Sequence, residues 1–113
     1  MSTPDTFTAK SPDAFAARHP ELLAQLRAVL SQYPQVKAAY LFGSYARGDE
    51  RPDSDVDVYV QIDHSKGQFG LFELYDLNAD VSNAVATKVD IVTSMRGLLL
   101  EYASDDLTLI YSN

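Results

Sequence analysis

Two aspartates, Asp55 and Asp57, fall inside a run whose other members are Val56, Val58 and Val60. Ionised carboxylates are costly among apolar neighbours, so their presence there calls for a counter-charge or a ligand. Residues two apart on a strand share a face, which sends the valines to the core and both carboxylates to the opposite side. The stretch KVDIVT, residues 88–93, repeats the pattern: Val89 and Ile91 face inward and Asp90 the other way. Were that strand to lie beside the first, at a spacing of about 4.8 Å, three carboxylates would meet on one patch. Such a cluster repels itself, and one member takes up a proton unless a cation sits among them. Oxygen donors without Cys or His nearby suit Mg²⁺, which favours one or two carboxylates together with water and substrate phosphates. Two such ions can clamp the attacking and leaving oxygens of a phosphoryl or nucleotidyl displacement. On this reading Asp55 and Asp57 hold the metals. Asp90 holds the catalytic ion and draws the proton from the attacking hydroxyl.

The pair Gly43-Ser44 meets the other requirement of that chemistry. A triphosphate needs backbone N–H groups close by, and a residue without Cβ lets the chain approach. The start of a helical turn after it offers N–H donors, and the Ser44 hydroxyl adds another. Arg47, about one turn later, is placed either to contact a phosphate or to pair with Asp49 or Asp53. Lys88 is expected on the same face as Asp90, as a neutralising neighbour. Simpler readings stand beside these: a solvated strand face for Asp55 and Asp57, a single edge acid for Asp90, and an ordinary turn for Gly43-Ser44. His19 and His64 lack a second ligand at metal spacing and read as surface residues.

The elements that must position these groups follow from periodicity. Residues 1–10 are polar and read as a loose tail, with a single domain over 11–113. Ser11-Pro12-Asp13 starts a short helix, and Pro20 restarts the pattern. Leu22, Leu23, Leu26, Val29, Leu30 and Tyr33 then form one apolar stripe, ended by Pro34. VKAAYLF, residues 36–42, suits a central strand covered on both faces. YAR makes a turn of helix before the loop RGDERPD, and the period-two strand carries on to Ile62. Residues 71–85 place Leu71, Leu74, Tyr75, Leu77, Asn78 and Val81 on a helical period. A last helix over residues 95–102, capped by Ser94, and a short edge strand LTLIY complete the order. The surplus of Leu98, Leu99, Leu100 and Tyr102 fits either an interface or a buried helix. The fold class is α/β (α+β): a small sheet with flanking helices, its first two strands favouring an antiparallel pair.

Bulk composition narrows the function. The chain has 113 residues, 46% of them hydrophobic, and a net charge of −7. Six acids lie between Asp49 and Asp63 with Arg51 as the sole cation among them. That balance does not suit wholesale binding to nucleic-acid phosphates. The absence of cysteine excludes disulfides and thiolate metal sites. No signal-peptide pattern and no run of membrane-spanning length is present, so a cytoplasmic protein is expected.

The segment GSYARGDERPDSDVDV matches the GS-x10-DxD signature of the nucleotidyltransferase superfamily shared with DNA polymerase beta. With its GSYARG opening and its KVDIVT strand, the chain resembles the minimal nucleotidyltransferases, the MNT antitoxins encoded beside HEPN toxins, over roughly residues 20–111. The resemblance implies a nucleotidyltransferase fold with a mixed sheet. It implies adenylyl transfer from ATP, with Mg²⁺, onto a tyrosine of a partner HEPN ribonuclease that is thereby silenced. By motif position Gly43 and Ser44 then bind the triphosphate, and Asp55 and Asp57 bind metal, with Asp90 as third carboxylate. Two rival readings remain: an antitoxin that occludes its toxin without catalysis, and a transferase acting on a small molecule.

Overall fold

Prolines set where the first helices begin. The computed structural model describes residues 9–93 and 106–113. Helix α1, Asp13–Arg18, starts behind Pro12, and the Ser11 hydroxyl accepts from the Asp13 N–H at 3.1 Å. Helix α2, Pro20–Leu30, has proline in its first turn, where a missing N–H costs nothing. It buries Leu22, Leu23, Leu26, Val29 and Leu30. The helix stops short of Tyr33, which lies in the following turn and donates its hydroxyl to Asp80 Oδ2 at 2.5 Å.

The sheet has strand order β3-β2-β1-β4. Strand β1, Val36–Phe42, is central and runs antiparallel to both β2, Val56–Ile62, and β4, Thr108–Ser112. Strand β3, Val89–Val92, lies parallel to β2 at one edge. The antiparallel β1–β2 pair is the one expected from their close spacing, and the parallel β2–β3 pair makes the sheet mixed. Between β1 and β2 the chain forms a single turn of helix, α3, Ser44–Arg47, and then the acidic loop.

One face of the sheet is the core. Val56, Val58, Val60, Val89, Ile91 and Ile110 point there, against the leucines of α2 and against α4, Leu71–Ala84. Each such side chain, fully buried, contributes about 1.5–3 kcal/mol. An irregularity in register between Val36 and Ala38 lets Val36, Ala39 and Leu41 all reach this core. The opposite face carries Ala38, Tyr40 and Leu107 as a smaller cluster, with Phe42, Tyr59 and Val92 partly covered beside it. Lys10, assigned above to a loose tail, bridges to Thr108, and Ala9 packs on this second cluster.

Helix α4 corrects one expectation. Its buried residues are Leu77 and Val81, with Leu74 partly covered, whereas Leu71 and Tyr75 are 85% and 74% exposed, as is Phe72 at 84%. At about 100° per residue, Leu71 and Tyr75 lie roughly 90° and 130° away from the middle of the stripe formed by residues 74, 77 and 81. The core stripe is therefore narrower than the run of apolar residues suggested. Among the described residues no helix is long and apolar enough to cross a membrane. The helix expected over residues 95–102, with Ser94, Leu98, Leu99, Leu100 and Tyr102, lies outside the described residues.

Candidate active site

The hairpin of β1 and β2 brings the Gly-Ser turn to the carboxylates. Phe42, the last residue of β1, is the partner of Asp57 in β2, so Gly43 emerges directly beside Asp57. Gly43 has φ 77° and ψ −153°, a conformation that L side chains rarely adopt. A Cβ at that position would stand 2.5 Å from Asp57 Oδ2. Glycine is required here for both backbone angle and space. The Gly43 carbonyl then accepts from the N–H groups of Ala46 and Arg47, at 3.1 and 3.0 Å. Ser44 and Tyr45 precede those donors, in the position where the start of a helical turn leaves N–H groups without a partner inside the turn. Tyr45 is 5% exposed and anchors the turn, its ring edge-on to Phe15 at 6.4 Å.

The third carboxylate arrives from β3. Asp57 and Asp90 are Cα partners in the parallel ladder, so the two side chains leave the same face of adjacent strands. Asp55 lies just before β2, and its Oδ2 is 3.7 Å from Lys88 Nζ. Lys88 also accepts at its carbonyl from the Val56 N–H at 2.9 Å, which ties the two strand entrances together. Its role as a neutralising neighbour is realised toward Asp55. Burial pushes the Asp57 carboxyl above the usual carboxylate range, and the charges of Asp90 and Asp55 push in the same direction, partly offset by Arg47. Asp57 is thus half-buried beside two further acids and disfavoured as an anion, the situation that a cation relieves.

The donor set is compatible with Mg²⁺. Among the described residues no group of three or more His, Asp or Glu side chains forms a ready-made metal cage. Magnesium does not need one, since it is held by one or two carboxylates and completed by water and phosphate oxygens. Arg47 takes the pairing foreseen as one of its two readings, with Nε 3.3 Å from Asp49 Oδ2. Its Nη1 also stands 3.7 Å from Asp106 Oδ2, a partner that no local pattern in the sequence announces. His19 departs from its assignment as a surface residue: its ring is partly buried, with Nε2 2.6 Å from Glu50 Oε2. His64 is exposed, in the short 3-10 turn His64–Lys66. Farther along the same face a hollow of about 260 Å³ is lined by Tyr59, Gln61, Ile62, His64, Phe69 and Thr93. None of the three carboxylates is among the residues that line it.

The family described as Polymerase beta, Nucleotidyltransferase matches residues 24–113, a span that holds every residue of this site. The chain belongs to that family. As a nucleotidyltransferase it is similar to "Putative protein adenylyltransferase MJ1215" of Methanocaldococcus jannaschii, 34% identical over 73 residues, which are 65% of this chain and 81% of that protein. A second protein of that organism with the same descriptive name, MJ1379, is 33% identical over 73 residues, 65% of this chain and 72% of its own. The nucleotidyltransferase fold is shared with a toxin–antitoxin crystal structure containing AMP-PNP. There the TM-score is 0.64 at 20% identity, covering 80% of this chain and 73% of the other. It is shared also with a complex of tri-AMPylated Shewanella oneidensis HEPN toxin and MNT antitoxin, at TM-score 0.52 and 18% identity, covering 89% of this chain and 72% of that one.

Proposed function

We propose that this nucleotidyltransferase is an antitoxin that transfers the adenylyl group of ATP, with Mg²⁺, to a tyrosine hydroxyl of a HEPN-type toxin and thereby neutralises it. The observation that carries the reading is the meeting of Gly43, Asp57 and Asp90 on one face. It rests further on the descriptive names of the relatives and on the fold shared with the toxin–antitoxin structures.

In this reading Gly43 and Ser44 bind the triphosphate through the open side of the turn, and Arg47 exchanges an acidic partner for phosphate oxygen. Asp55 and Asp57 would hold Mg²⁺, which supplies charge neutralisation for the triphosphate. Asp90 accepts the proton of the acceptor hydroxyl as its oxygen bonds to the α-phosphorus. The bond to the β-phosphate oxygen breaks, and pyrophosphate leaves. The reaction draws on ATP, which agrees with a cytoplasmic setting.

A second reading is occlusion of the toxin by stoichiometric binding. It is favoured by Leu71, Phe72 and Tyr75, the exposed large apolar side chains of α4, which also carries Glu73, Asp76 and Asp80 and no cation. An apolar patch rimmed by acids fits a partner with basic residues around an apolar recess. The two readings are separated by Asp55→Asn with Asp57→Asn, tested with a HEPN-type toxin and ATP labelled at the α-phosphate. Catalysis predicts that label on the toxin and protection of the cell are both lost. Protection that survives without label would replace catalysis by occlusion, and absence of label with the wild-type chain would overturn the transfer itself.

A further inference from the structure

The turn that carries Gly43 and Ser44 is held from outside by the junction of α1 and α2. It begins and ends on glycines with positive φ, Gly43 at 77° and Gly48 at 85°, so little in its own backbone preference keeps it in place. The Arg18 guanidinium supplies the grip. Its Nη2 donates to the Tyr45 carbonyl, within the turn, at 2.7 Å. Its Nε donates to Glu50 Oε2, just beyond the turn, at 3.1 Å, and its Nη1 returns to the Ala14 carbonyl of α1 at 3.2 Å. Gly48 passes beside this guanidinium, with the Arg18 atoms 3.6–3.9 Å from where a Cβ would stand.

Glu50 is the unexpected member. In a loop whose neighbouring acids Asp49 and Asp53 are exposed, the Glu50 side chain is only 11% exposed. Its Oε2 takes both Arg18 and His19, the latter at 2.6 Å, while Oε1 is buried without a hydrogen-bond partner among the described residues. The His19 ring lies between Phe15 and Tyr45, with centroids 5.6 and 5.2 Å away. An ion pair whose carboxylate is covered while Arg18 and His19 remain about a third exposed adds little stability, because partial desolvation and solvent screening offset the attraction. What such a pair can do is select one geometry for the segments it joins.

We infer that Arg18, with Glu50 and His19, is a positioning clamp that sets the nucleotide-binding turn against Asp57, and that its loss weakens nucleotide affinity more than it weakens the fold. The clamp rests on the reading of Gly43-Ser44 as the triphosphate cradle. Arg18 grips the Tyr45 carbonyl and Glu50, and His19 grips Glu50, so the clamp acts through the chain that leads from the turn to residue 50. The specificity of the effect separates this from a general contribution to stability. Arg27 offers the matching control: an α2 arginine whose Nε donates to the Ile110 carbonyl of β4 at 2.7 Å. It braces the fold in the same chemical way, yet its contact is with β4 and not with the turn.

The test measures AMP-PNP affinity with Mg²⁺ by calorimetry for the wild type, Arg18→Met, Arg18→Lys, Glu50→Gln and Arg27→Met. Amide exchange is followed at Ala46, Arg47, Gly48 and Asp49, whose N–H groups close the turn. The clamp predicts about a ten-fold loss of affinity in Arg18→Met, the scale of one charge-assisted hydrogen bond, with a smaller loss in Arg18→Lys and none in Arg27→Met. Where the wild type binds nucleotide, an affinity unchanged in Arg18→Met and Glu50→Gln, or equally reduced in Arg27→Met, overturns it. Where the wild type does not bind, the cradle reading fails on its own, and exchange decides the clamp. Acceleration confined to residues 46–49 upholds it, and acceleration shared with β1 overturns it. Should Arg18→Met not fold, Arg18→Lys and Glu50→Gln carry the same comparison.

Discussion

Asp57 Oδ2 stands 2.5 Å from the place that a Cβ on residue 43 would occupy. The turn and the carboxylate strand are therefore fitted to each other at atomic distance, and neither can change without moving the other. Gly43→Ala introduces a clash and places an L residue at φ 77°. The backbone part alone costs about 1–3 kcal/mol. In urea unfolding the double variant Gly43→Ala/Asp57→Ala should recover part of the loss, leaving the backbone cost. Additivity of the two changes within about 0.5 kcal/mol would show that the two sites do not feel each other.

Burial and the charges of Asp90 and Asp55 press Asp57 away from its ionised form. In buffer with a chelator, Asp57→Asn should melt at a higher temperature than the wild type. In the presence of Mg²⁺ and ATP the same variant should lose at least about 100-fold in transfer rate, beyond what removal of an outer partner of a metal site does. A residue that is destabilising by itself and needed for turnover shows the usual tension at functional sites. A lower melting temperature in chelator would contradict the electrostatic account.

Burial alone would raise the Glu50 carboxyl, but hydrogen bonds from His19, its own backbone and Arg18 bring it below the ordinary glutamate value. A lowered folded-state pKa gives stability that is present above the unfolded value and disappears as pH falls through the folded one. Wild-type melting temperature should thus decline in acid just below the ordinary glutamate range. Glu50→Gln should start lower and lose less across that interval. Parallel curves for the two proteins would rule out this contribution.

Tyr33 links the end of α2 to α4 through its 2.5 Å hydrogen bond to Asp80. Burial, and then Asp80, push the phenol well above its usual range, so the hydroxyl keeps its proton in mildly alkaline solution. Tyr33→Phe should cost about 0.5–1.5 kcal/mol in urea unfolding. Nucleotide affinity, measured by calorimetry, should be unchanged.

Phe72 stands 84% exposed on an acidic helix. Phe72→Asp should weaken binding of a HEPN-type toxin at least about ten-fold, as expected for an aromatic anchor of an interface. AMP-PNP affinity should stay the same. Equal toxin affinity would remove this face from the interface.

Much of the site was legible because strand periodicity is a local property. Alternation of Val56, Val58 and Val60 with Asp55 and Asp57 fixes which side chains share a face whatever strand lies next to them, and the same holds for Val89, Asp90 and Ile91. The Gly43-Ser44 turn was readable for a similar reason, since it directly follows a run of strand residues. The burial of α4 is not legible in its sequence, because apolar spacing tells which residues can face a core, while the neighbours decide which do. Leu71 and Tyr75 have the spacing; α2 and β3 cover residues 74, 77 and 81 instead.

What the chain order left undecided is everything that depends on two segments choosing each other. The register that sets Asp90 opposite Asp57, the reach of Lys88 to Asp55 and of Asp106 to Arg47, and the grip of Arg18 on Tyr45 and Glu50 join residues 27 to 59 positions apart. Such contacts carry no period and no nearest-neighbour signal. They exist because hydrophobic burial of one sheet face orders the strands and docks the helices on it, and polar side chains outside that core then meet the partners that this order brings.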